Sequence, residues 1–206
     1  DENKHTYDGI IELVPFYLIA NFYYDGISTK DLITDDSVIF DILKSGIFNN
    51  KNLSTSLNVN VKKIINVNEL KNLFLKIAIE DGNFNLSNSN VMWKDDLKIT
   101  LQESQLTHDE NEISLLGRVD VKIKDINDFY KSFQIKKKSR KKIDQIQFDF
   151  YYNFDQRKIN FDNVKIDNNY VENLDKFIED FNSKGKISNK IMLKNFINDL
   201  FDTYSG

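Results

Sequence analysis

Through much of this chain every second side chain is apolar, and that period of two constrains the fold more than any other feature. Successive side chains on a strand point to opposite faces, so alternation predicts strands with one dry face and one wet face. Leu53, Thr55, Leu57, Val59 and Val61 alternate with Ser54, Ser56, Asn58, Asn60 and Lys62. The pattern returns at Leu73, Leu75, Ile77 and Ile79, at Leu97, Ile99 and Leu101, and at Ile113, Leu115, Val119, Val121 and Ile123. It is clearest at Ile146, Phe148, Phe150, Tyr152 and Phe154. Turn signals separate the runs, among them Asp81-Gly82-Asn83, Lys94-Asp95-Asp96, Thr107 to Asn111 and Asp155-Gln156-Arg157. Short connections predict antiparallel neighbours, giving a meander of roughly eight long strands.

Residues 10–24 are apolar on both faces, which predicts one strand covered on both sides, with an edge or a bulge at Pro15. Helical spacing predicts short helices at about residues 36–45, after Asp35-Asp36, and 125–133, carrying Ile126, Phe129, Tyr130 and Phe133. Two more are expected in the tail, one with Val171, Leu174, Phe177, Ile178 and Phe181, and one after a Ser188 cap with Leu193, Phe196, Ile197, Leu200, Phe201 and Tyr204. The expected fold is mainly β with a few helices: a long-stranded, curled antiparallel sheet, a groove or partial barrel, capped by C-terminal helices. Residues 1–168 form the sheet and residues 169–206 a helical cap belonging to the same domain.

A one-sided sheet must hide its apolar face, at about 25 cal/mol per Å². The expected helices are too few for eight long strands, so the face is filled by the sheet's own curl, by the tail or by lipid. Gly117 within a strand, and the broken alternation at Asn88-Ser89-Asn90, predict the bends that curl it. If lipid lies there, the candidate contacts are Leu57, Val59, Val61, Leu75, Ile77, Val119, Val121, Phe148 and Phe150.

Other chemistry is sparse. The chain has no Cys, which removes disulfides, thiolate metal sites and a cysteine nucleophile. Its seven glycines form no phosphate loop or dinucleotide fingerprint. His5 and His108 lie in a ragged start and a hairpin loop, and the acid pairs Asp35-Asp36 and Asp95-Asp96 are explained by a helix start and a turn. No catalytic residue, metal or cofactor is expected. A net charge of −4 argues against a surface built for nucleic acid. One patch stands apart: Lys136, Lys137, Lys138, Arg140, Lys141 and Lys142 put six basic residues in seven positions. It reads as a solvated loop, or as a contact for an anionic membrane surface in preference to nucleic-acid phosphate.

Residues 82–167 carry a family resemblance. Gly82-Asn83-Phe84-Asn85-Leu86 followed by Val91-Met92-Trp93-Lys94-Asp95, Leu115-Leu116-Gly117-Arg118-Val119, and Asp128-Phe129-Tyr130-Lys131-Ser132-Phe133-Gln134 before the basic run resemble the C-terminal region of alphaproteobacterial AsmA-like envelope proteins. The ending from Ile191 to Tyr204-Ser205-Gly206 is also similar. The resemblance implies a periplasmic, mostly β body belonging to a larger protein anchored in the inner membrane, of which this chain, without an initial Met, is expected to be a fragment. It implies phospholipid carried along an apolar groove and no enzyme activity. The alternative is a structural end-cap or protein-interaction domain that needs no ligand.

Overall fold

The alternating runs become strands of a single curled sheet. The computed structural model describes residues 5–14, 16–28, 50–109, 112–184 and 189–206. Eleven strands pair in it: β1 (His5–Leu13), β2 (Phe16–Ile27), β3 (Ser54–Ile64), β4 (Leu70–Glu80), β5 (Asn83–Asn85), β6 (Asn90–Trp93), β7 (Leu97–Asp109), β8 (Glu112–Ile123), β9 (Gln145–Asn153), β10 (Lys158–Ile166) and β11 (Asn169–Tyr170). Spatial order follows chain order, with β5 and β6 sharing the place between β4 and β7. The described helices are α1 (Ile126–Phe133), α2 (Asp175–Lys184) and α3 (Lys190–Ser205). The helix expected at 36–45 and the edge or bulge expected at Pro15 fall outside the described residues.

Several sequence expectations change. Residues 10–24 are not one strand: β1 and β2 form an antiparallel hairpin in which Leu13 lies opposite Phe16. Nor is this region covered on both faces, because β1 is an edge strand exposed on both, with Ile10 63% and Leu13 72% accessible. The sheet is also not antiparallel throughout. The long connection from β2 lets β3 run parallel to it, from Tyr17 opposite Ser54 to Ile27 opposite Ile64. In the tail, Asn189 caps α3 by accepting from the Met192 N–H at 2.9 Å, whereas Ser188 lies outside the described residues. The first tail helix begins later than its apolar spacing suggests: a 3-10 turn at Glu172–Leu174 precedes α2.

The bends have identifiable causes. In β7 the register slips between Leu101 and Glu103, which moves the apolar face from odd to even positions. Leu106, opposite Leu115, thereby shares the face of Leu97, Ile99 and Leu101, while Glu103 and Gln105 take the wet face. Beside this bulge sits Gly117, where an added Cβ would lie 2.2 Å from the Glu103 carbonyl oxygen. Only glycine permits that approach. Between β5 and β6 the strand breaks, and serine hydroxyls replace the missing ladder partners. Ser104 Oγ accepts from the Leu86 N–H at 2.9 Å, Ser87 Oγ from the Ser104 N–H at 2.9 Å, and Ser89 Oγ from the Lys76 N–H at 2.9 Å. The backbone is satisfied there without a regular strand.

The main core lies between the helices and the later strands. Phe201, fully buried, packs on Phe129 and Tyr130 at ring separations of 5.4 and 6.2 Å. Trp93, Leu97, Val164, Ile166, Leu174 and Ile178 join the same cluster. The tail is therefore part of the core of the sheet.

Candidate functional site: a divided apolar face

The register places the predicted lipid contacts on one continuous face. Leu57 pairs with Ile77 and Val59 with Leu75 across β3 and β4. The ladder continues from Ile79 through Phe84, Leu106 and Leu115 to Tyr152. Further along β8 on the same face, Gly117 pairs with Phe150, Val119 with Phe148 and Val121 with Ile146.

The helices divide this face in two. Leu57, Val59, Leu75, Ile77 and Phe150 are half-buried and stand outside the cluster on which the helices pack. Val61 is packed away at 2% exposure. Val119, Val121 and Phe148 instead line a cavity of about 380 Å³ bounded by β4, the strands from β6 to β10, and all three helices.

The nineteen described residues around the cavity are all apolar or aromatic. Anything that takes these apolar walls out of water is stabilised by about 25 cal/mol per Å² of apolar area. Water is a poor filler for an apolar cavity. One polar atom stands out: Trp93 Nε1 is buried and has no hydrogen-bond partner. Composition and periodicity do not reveal the cavity, because it depends on how the helices sit over the sheet. The sequence signal that could have found Trp93 is its place as the sole tryptophan at the end of an apolar strand.

The basic run forms a strap across the C-terminal end of α3. Lys136 and Ser139 both bind the Asp202 carboxylate. Lys141 Nζ donates to the Tyr204 carbonyl at 3.1 Å, where the helix dipole favours a cation. Arg140 lies 5.3 Å over the Tyr130 ring and donates to the Ile135 carbonyl at 3.0 Å. Lys137, Lys138 and Lys142 are exposed. The Lys136 ammonium and the Ser139 hydroxyl hold the Asp202 carboxyl below its ordinary value.

Other candidates for chemistry are accounted for. Asp95 pairs with Lys71 at 2.6 Å, and burial, reinforced by the Asp128 charge, raises Asp96. His5 opens β1 instead of lying in a ragged start, its ring stacked on Tyr24 at 6.1 Å. His108 belongs to β7, opposite Ile113, and not to a loop. Asp35 and Asp36 lie outside the described residues, as do the side chains of His108 and Asp109. Among the described residues no group of three or more His, Asp or Glu side chains could hold a metal ion. No described helix is long and apolar enough to cross a membrane. Comparison with protein-family models, curated proteins and solved structures finds no match.

Proposed function

We propose that the chain is a non-enzymatic lipid-handling module that holds acyl chains on the apolar face of its β-groove. The observation that carries this reading is the half-buried ladder of Leu57, Val59, Leu75 and Ile77, which continues the apolar face beyond the cover of the described helices. An acyl chain gains about 0.8 kcal/mol per buried CH₂, so about ten methylenes on such a face would gain roughly 8 kcal/mol before the cost of immobilisation. With the resemblance to AsmA-like proteins, the module belongs to a larger periplasmic protein of envelope biogenesis, anchored in the inner membrane. The exposed heads of Lys137, Lys138 and Lys142 suit an anionic membrane surface.

A structural end-cap is the second reading, favoured by the way Asn182 and β11 occupy the outer edge of β10. Lipid mass spectrometry of the purified protein distinguishes them. Co-purifying phospholipid in stoichiometric amount supports lipid handling, and its absence supports the cap.

A further inference from the structure

We infer that the free edge of β1 is a docking site for an extended segment of another protein, apolar on one face and carrying cations four residues apart on the other, which joins the sheet as a further strand. The docking needs no lipid and lies apart from the ladder of Leu57 and Leu75.

The hairpin determines which backbone groups are free. Leu13 and Phe16 close a two-residue loop, so they form a hydrogen-bonded pair, and bonded pairs then alternate along β1 through Ile11, Gly9, Tyr7 and His5. The N–H and C=O groups of Thr6, Asp8, Ile10 and Glu12 therefore point away from β2. Every residue of β1 is exposed, and no described strand pairs with its outer side. Such an open row of donors and acceptors is what an added strand recognises.

The side chains set the chemistry of the partner. On one face Tyr7, Ile11 and Leu13 stand exposed beside Phe22, Leu18 and Phe16 of β2, and apolar side chains on an added strand would cover them. On the other face a chain of hydrogen bonds runs outward across three strands. Asn58 Nδ2 donates to Asn21 Oδ1 at 2.9 Å, and Asn21 Nδ2 donates to Asp8 Oδ1 at 2.7 Å. The chain ends at the sheet edge on an acceptor, so only a donor on the next strand extends it. Glu12 shares this face and has no partner among the described residues. Opposite charges across a strand pair are stabilising and like charges destabilising, so Asp8 and Glu12 favour cations at the two facing positions. A second copy of β1 fits poorly, because it brings two more acids and neither Lys nor Arg.

A fluorescein-labelled peptide, Val-Lys-Val-Thr-Val-Lys-Val, should bind the full chain saturably in fluorescence anisotropy. Its affinity should exceed that of Val-Glu-Val-Thr-Val-Glu-Val about fivefold or more. Val-Lys-Val-Pro-Val-Lys-Val keeps the charge but lacks the N–H that faces Ile10, and it should not bind. Asp8→Lys/Glu12→Lys should reverse the preference between the Lys and Glu peptides. Should that variant fail to fold, Asp8→Asn/Glu12→Gln should abolish the preference. No saturable binding, equal binding of the proline peptide, or an unchanged preference in a folded variant overturns the proposal. A wild type that sediments as a dimer, and that the two lysines convert to a monomer, assigns the edge to a second copy and also overturns it.

Discussion

The side-chain amide of Asn182 on α2 makes both hydrogen bonds that a neighbouring strand would make with Phe161 on β10. Its Oδ1 accepts from the Phe161 N–H at 2.8 Å and its Nδ2 donates to the Phe161 carbonyl at 2.7 Å. An open strand edge is a template for further pairing, and Asn182 together with the short β11 closes this one. The opposite edge, β1, has no such cover from the described residues, so the two ends of the sheet differ in kind.

Asn182→Leu keeps the bulk and removes both bonds. It should cost about 1–3 kcal/mol in urea unfolding and make association depend on protein concentration. Unchanged stability, with an unchanged sedimentation profile, would show that the edge is not held by this residue.

Gly117→Ala should be among the most damaging single-methyl additions in the sheet. The new Cβ would meet backbone at Glu103, where no flexible side chain can move aside. Adding bulk at such a contact costs about 1–3 kcal/mol or more. A midpoint shift no larger than that of Ala at an exposed strand position would contradict the close approach.

Acid should loosen the strap on α3. The Asp202 carboxyl is lowered by Lys136 and Ser139, so its contribution is present above the ordinary carboxylate value of about 3.9 and is lost as pH falls through the lowered value. Lys136 is raised by the same partner, so its share is present below about 10.4 and is lost as pH rises through the raised value. Asp202→Asn should flatten both limbs of the stability profile. Limbs identical to those of the wild type would remove Asp202 from the account.

The strands were legible in the sequence because alternation is a local property, and Ile146 to Phe154 needed no tertiary information. The hairpin after Leu13 was not, because β1 and β2 are both apolar enough to read as one segment. The switch of parity in β7 was equally hidden, since a bulge moves Leu106 onto the face of Leu97, Ile99 and Leu101 without any glycine in β7 to mark it. At the candidate site, the apolar face could be predicted but its division could not. That depends on where α1, α2 and α3 pack. The basic run looked uniform, yet Lys136, Arg140 and Lys141 engage the protein's own acid, ring and carbonyls.

The most direct measurement of lipid handling compares adjacent residues on opposite faces of one strand. A photo-crosslinking side chain placed at Leu57, Leu75 or Phe148 should capture lipid in cells, whereas one at Asn58 or Lys76, a single residue away on the wet face, should not. Lipid adducts at the first set alone are the predicted result. Adducts at neither set, or equally at both, would contradict a lipid-holding face.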